Sequence, residues 1–208
     1  MVRICELGVA GGTEAEMDIG VPIKDWGEVN TARLRKAIVR QPDVAWDEDK
    51  QRQVDYDVHR QTKSIVMLFA SQTWPRVTIT REKGWDRIAD VAEPVMAEVI
   101  KRFYPPGGTI IRAVAAKLMA GGNITPHIDS LTSFAYGHRI HIPVTTNKLV
   151  RFMIDGSPYR FEIGHVYEIN NQKIHSVMNA GKEDRISFIF DYVPPGVAAE
   201  QNAVFLNG

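Results

Sequence analysis

The sequence predicts a mainly β fold with flanking helices, of the sandwich or jelly-roll kind, and three observations carry that prediction. From Thr109 onward the chain breaks into short runs of β-branched and apolar residues, each of strand length. Gly-rich turns separate these runs, where alternating β/α units would interpose amphipathic helices. Long helical periodicity is confined to the first half and ends at Pro105-Pro106-Gly107-Gly108.

Taken in order, Asn30 is placed to cap a short helix whose Leu34, Ala37 and Ile38 share one face. The segment from Asp43 to Tyr56 is rich in charged and amide side chains around Trp46 and reads as a surface loop or turn. Ser64 to Ala70 is a continuous apolar run suited to a buried strand. Trp85 to Tyr104 repeats Ile88, Val91, Val95, Val99 and Phe103 at helical spacing, with Pro94 expected to kink or split it. Thr109–Leu118 is a strand that Gly121-Gly122-Asn123 stops. Further strands are expected at Arg139–Thr145, Val150–Ile154, Tyr159–Ile163, Val166–Ile169, His175–Met178 and Arg185–Val193. Asp155-Gly156-Ser157-Pro158, Gly164 and Asn179-Ala180-Gly181-Lys182 supply the turns between them. No internal repeat is visible.

A chain of 208 residues fits a single domain, 1–208, with 1–108 as a mixed α/β flanking and lid region and 109–195 as the β core. Lys+Arg and Asp+Glu both number 25, so net charge gives no reason to expect nucleic acid or an anionic membrane as partner. The lone Cys5 excludes an intrachain disulfide and reads as a peripheral thiol. Glu6, Gly8, Gly11 and Gly12 interrupt any signal-like start, and Ile65 to Ala70 is far short of a membrane span. A reducing cytoplasm is the expected compartment. Oligomeric state is not readable.

The chemistry-bearing pattern is His127-Ile128-Asp129, followed by His175 and then Arg185. On a regular strand, His127 and Asp129 share one face and Ile128 points to the other. Pro126 before them and Ser130 after them suggest a strand end opening into a loop, where a metal site gains both a rigid root and an open mouth. His175 supplies the third ligand from a different strand. Two imidazoles and a carboxylate with open positions form the facial triad of a non-haem Fe(II) centre. Arg185 precedes the apolar run Ile186–Phe190, and a buried guanidinium needs an anionic partner. A bidentate cosubstrate carboxylate is one such partner, and Asp184, Glu183 or Asp191 are the ordinary alternatives. Arg139 and His141 share a strand face by period two, either for a joint polar role or as a solvated stripe. A His-X-Asp by itself occurs often by chance; the ordered set is what gives the pattern meaning.

From Ala115 to Pro195 the chain resembles the aspartyl/asparaginyl β-hydroxylase-like branch of the Fe(II)/2-oxoglutarate dioxygenases. The similar stretches are Pro126–Asp129, Arg139–Pro143, Gly164–Asn170, His175–Asn179 and Asp184–Asp191. The resemblance implies a cupin-like double-stranded β-helix (a jelly roll) holding Fe(II) through His127, Asp129 and His175. It implies that Arg185 pairs with the distal carboxylate of 2-oxoglutarate, and that Arg139 and His141, on an Arg-X-His motif, help hold the cosubstrate. Some animal members have glycine at the position of Asp129 and bind iron through two histidines. The carboxylate here resembles bacterial members and argues against a halogenase-like site. A serine that contacts the cosubstrate in some relatives falls near Ala116 or Lys117, and neither is serine. His138 and His165 match no ligand position and read as turn or surface residues.

The expected activity is hydroxylation of a C–H bond in a small polar substrate, an amino acid or peptide side chain, with release of succinate and CO2. Two rivals stand beside it: a non-catalytic jelly roll that binds a small ligand, and a cupin-type metal enzyme without a 2-oxo acid. Specificity is expected from the first half, where the loop around Asp43–His59 and the strand beginning near Ser64 close over the iron and His59, Arg60, Thr62 and Ser64 face the mouth of the site.

Overall fold

The computed structural model describes residues 18–48, 61–71, 77–129, 131–197 and the backbone of 204–207. The elements in chain order are β1 (Ile23–Glu28), α1 (Ala32–Val39), α2 (Asp43–Asp47), β2 (Thr62–Ala70), β3 (Thr78–Arg81) and α3 (Lys83–Phe103). There follow β4 (Thr109–Leu118), β5 (Asn123–His127), a 3-10 turn at Thr132–Ala135, β6 (His138–Thr145), β7 (Val150–Ile154) and β8 (Ser157–Tyr159). The last are β9 (His165–Ile169), β10 (His175–Asn179), β11 (Arg185–Val193) and β12 (Val204–Asn207). They form a major sheet in the order β1-β9-β6-β11-β4-β2-β3-β12 and a minor sheet in the order β5-β10-β7-β8. Pairing is antiparallel except between β12 and β3. This is the jelly roll that the sequence predicts.

The major sheet has two apolar faces because helices cover one and the minor sheet covers the other. In β11 every residue is buried, and alternation divides them. Ile186, Phe188, Phe190 and Tyr192 join the core beneath α1 and α3, which also takes Leu34, Ile38, Ile88, Ala92, Val95 and Val99. Arg185, Ser187, Ile189 and Asp191 turn to the opposite face, toward the space between the sheets. There Leu118, Phe152, Ile154, Phe161, Tyr167, Ile169 and Val177 form a second cluster. The major sheet draws on both halves of the chain, since β1 pairs with β9 and β2 with β4.

Several expectations are corrected. Pro94 does not split its helix: α3 runs unbroken for 21 residues. Pro94 and Asp90 are both exposed, so the carbonyl that proline leaves without a donor faces water. The Asp43–Tyr56 segment opens as a helical turn, α2, whose Trp46 is fully buried. The strand expected at Tyr159–Ile163 lies earlier, at Ser157–Tyr159. Asp155 and Gly156 carry φ of 49° and 76°, a tight hairpin turn that restores pairing at Ser157 opposite Ile154. Pro158 is tolerated because β8 is an edge strand. Arg60 and most of the expected lid loop around Asp43–His59 lie outside the described residues. Among the described residues, no helix is long and apolar enough to cross a membrane.

Candidate metal centre and cosubstrate pocket

His127 closes β5 and His175 opens β10, and the two are direct register partners across the minor sheet. Their rings lie 4.3 Å apart between centroids. The strand ends at His127, so Asp129 reaches the centre from the loop beyond it, its backbone N–H donating to the Asn171 carbonyl at 3.3 Å. Ile128 turns outward and is 46% exposed. Asp129 Oδ1 lies 3.7 Å from His127 Nε2 and 3.9 Å from His175 Nε2. One ligand atom from each residue falls within 4.8 Å of the others, and this is the one such group among the described residues.

The imidazoles are held in the form that a metal requires. His127 Nδ1 donates to the Thr125 carbonyl at 2.8 Å, and His175 Nδ1 donates to the Lys173 carbonyl at 2.9 Å. A carbonyl can only accept, so both protons sit on Nδ1 and both Nε2 lone pairs face the centre. Burial lowers the His175 pKa against the opposing pull of Asp129, which favours the neutral ligand.

Arg185 projects from β11 into the same cavity, which Thr62, Ile124, Phe152 and Val177 also line. It is 4% exposed, and burial alone pulls its guanidinium down from 12.5 to about 10. No carboxylate among the described residues pairs with it; its one aromatic neighbour is Phe152, whose ring centre lies 5.8 Å away. The local acids are engaged or point elsewhere. Asp191 faces Arg139 and Arg112, Asp184 accepts from the Ala120 N–H, and Glu183 is exposed. His141, on β6, also lines the cavity, and neither ring nitrogen has a hydrogen-bond partner. Burial and then the charges of Arg139 and Arg185 push its pKa well below the ordinary value, so the ring is neutral.

Arg139 lines the cavity too, between two carboxylates. Nε lies 3.1 Å from Asp129 Oδ2, and Nη1 donates to Asp191 Oδ1 and Oδ2 at 2.8 and 3.0 Å. Burial opposes its charge, but the two carboxylates outweigh that and raise its pKa. The sequence offered Asp191 only as a partner for Arg185, whereas it pairs with Arg139 and Arg112, and Ser187 went unnoticed. Ser187 lies on β11 between Pro143 and Ala116 in register, and its buried hydroxyl has no partner. The signal was period two: Arg185, Ser187 and Asp191 are polar on one face of an otherwise apolar strand. His138 is not a surface residue, since it bonds the fully buried Glu168 at 2.5 Å. His165 lies near Asp25 at 3.1 Å, away from the centre.

Two imidazole nitrogens and a carboxylate oxygen converge beside an unneutralised guanidinium and an unpartnered neutral histidine. That donor set fits Fe(II) with an anionic, bidentate co-ligand, and within a jelly roll it defines an iron- and 2-oxo-acid-dependent oxygenase. The family model for aspartyl/asparaginyl β-hydroxylase matches residues 34–195, and the chain belongs to that family. It is therefore a hydroxylase using Fe(II) and 2-oxoglutarate. The fold is similar to an oxidoreductase of the 2OG-Fe(II) oxygenase family from Burkholderia pseudomallei, at 14% identity and TM-score 0.56 over 84% of this chain and 82% of that one. It is also similar to the non-haem monooxygenase ThoJ in its nickel complex, at 12% identity and TM-score 0.54 over 84% and 74%. No protein of curated function matches the chain in sequence.

Proposed function

We propose that the protein hydroxylates a C–H bond of a small polar substrate, an amino acid or a peptide side chain, with release of succinate and CO2. Fe(II) held by His127, Asp129 and His175, with 2-oxoglutarate beside it, supplies the oxygen activation. The protein's own part is positioning. Arg185 pairs with the distal carboxylate of 2-oxoglutarate in a desolvated, geometrically matched contact. His141, neutral and without another partner, donates a ring N–H to the cosubstrate near the metal. Arg139 lines the same wall and helps hold the cosubstrate, with its charge balanced by Asp129 and Asp191. Ile124, Phe152, Val177 and Ile189 give the cavity apolar sides that keep water from the reacting centre. A reducing cytoplasm suits ferrous iron.

The observation that carries this reading is Arg185: a buried cation without an anionic partner among the described residues, in the cavity of the triad. That charge selects an anionic ligand beside the metal, which favours a 2-oxo acid over the rival of a cupin-type metal enzyme without one. The test is oxygen-dependent succinate release from 2-oxoglutarate with Fe(II), screened against amino-acid and short-peptide pools. Stimulation by a member of those pools is expected. Stimulation by nucleic acid or intact folded protein alone would overturn the substrate class.

A further inference from the structure

Resting on the metal-centre reading above, we infer that Arg139, anchored by Asp191, is a positioning residue that commits Asp129 to binding the metal through one oxygen. The carboxylate of Asp129 is divided between two environments. Oδ1 faces both imidazoles, at 3.7 and 3.9 Å from their Nε2 atoms, while Oδ2 faces Arg139 Nε at 3.1 Å. A carboxylate left to itself offers a metal either one oxygen or both. With one oxygen, the triad fills three sites of a six-coordinate ion and leaves three, the number that a bidentate 2-oxo acid and dioxygen need. With two oxygens it leaves only two. A guanidinium on Oδ2 holds the count at three.

The clamp is rigid because its far end is fixed. Asp191 stands directly opposite Arg139 in the pairing of β11 with β6, and both of its oxygens accept from Nη1. Arg112 Nη1 lies 3.6 Å from Asp191 Oδ2, which brings a second positive charge to the same carboxylate from β4. The Phe134 ring contacts both guanidinium groups, with its centre 4.7 Å from that of Arg139 and 4.4 Å from that of Arg112. Two carboxylates and two guanidiniums thus neutralise one another in a nearly buried row, and Arg139 Nε stands in ion-pair contact with one oxygen of the metal ligand. Asp191 takes no part in lining the cavity. Its contacts lead to the metal ligand through Arg139.

That separation supplies the test. The full-length protein is loaded with Co(II) under anaerobic conditions, first without 2-oxoglutarate, for wild type, Arg139→Gln, Asp191→Asn and Arg139→Lys. Co(II) absorption reports coordination number and geometry independently of turnover. The expected result is that Arg139→Gln and Asp191→Asn still bind Co(II), within about tenfold of wild type, but with altered spectra before any cosubstrate is added. They should then bind 2-oxoglutarate at least tenfold more weakly. Arg139→Lys, which keeps charge but loses the fork, should fall between. Spectra of Asp191→Asn and Arg139→Gln identical to wild type would overturn the clamp while leaving the metal centre standing. A wild-type Co(II) spectrum indifferent to His175→Ala would instead overturn the centre itself, and the clamp with it. Should Asp191→Asn fail to fold, Arg139→Lys and Arg139→Gln carry the comparison.

Discussion

Replacing Arg185 with methionine should raise the stability of the ligand-free protein while removing its response to 2-oxoglutarate. Burial lowers the guanidinium from 12.5 to about 10. At about 1.4 kcal/mol per tenfold change in proton affinity, that is roughly 3 kcal/mol against keeping the charge in the fold. The contact with Phe152 returns about 0.5–1 kcal/mol of this, so the net gain from Arg185→Met is about 2 kcal/mol. Methionine has similar length and the flexibility to fill the vacated space among Phe152, Val177 and Ile189. In a domain of this size the gain corresponds to a Tm increase of roughly 4 to 8 °C. Binding should move the other way. Loss of one member of a desolvated charge pair costs about 2–5 kcal/mol, or roughly 30- to several thousand-fold in affinity. The assay is thermal melting of wild type and variant, each with Mn(II), across a 2-oxoglutarate series. Wild-type Tm should climb with cosubstrate through mass action, and the variant should start higher and stay flat. A variant that melts lower than wild type and still climbs with cosubstrate would refute the reasoning, because Arg185 would then be a structural cation with a partner of its own.

His127→Ala, Asp129→Ala and His175→Ala should each abolish turnover and weaken Fe(II) binding while circular dichroism stays native, because the centre sits at strand ends; wild-type iron affinity in the His175 variant would contradict the assignment. His141→Phe should flatten the acid dependence of metal-free stability. The folded state holds His141 neutral well below the usual value, whereas the unfolded chain takes up a proton near 6.5. The unfolded state therefore binds more protons between those two values, and stability falls as pH drops through that window. Melting from about pH 7.5 to about 5.5 should show a smaller loss in the variant, and parallel slopes would count against a buried neutral ring. Gly84→Ala should destabilise the fold by about 1–3 kcal/mol, since a Cβ there meets the Val66 carbonyl oxygen at 2.3 Å where α3 packs on β2; an unchanged urea midpoint would mean that this contact relaxes freely.

The sequence was most legible where local signals and burial agreed. Thr109–Leu118, Val150–Ile154 and Arg185–Val193 match the observed strands end for end, because each is a β-branched or apolar run bounded by turn residues. The strands β1, β3 and β12 left no comparable trace. β1 is an edge strand that reads Ile-Lys-Asp-Trp-Gly-Glu, with Gly27 at φ 83° in its interior, so pairing with β9 rather than composition makes it a strand. The grouping of His127, Asp129 and His175 was readable because metal-binding capacity is chemical and survives any error in strand boundaries. Asp191 and its hold on Arg139 were not, since an ion pair across β6 and β11 depends on a register that no single stretch of sequence encodes. His138 misled for the same reason: its partner Glu168 is thirty positions away and fully buried.

In the proposed holoenzyme, one iron at His127, Asp129 and His175 binds 2-oxoglutarate beside it with Arg185 as counter-ion. The most direct test of this arrangement is an anaerobic optical titration of the Fe(II)-loaded protein with 2-oxoglutarate. A visible metal-to-ligand charge-transfer band is expected that saturates at one cosubstrate per iron, is absent in His175→Ala, and needs far more cosubstrate in Arg185→Met. No band in the wild-type protein, or a band that the His175 variant retains, would contradict it.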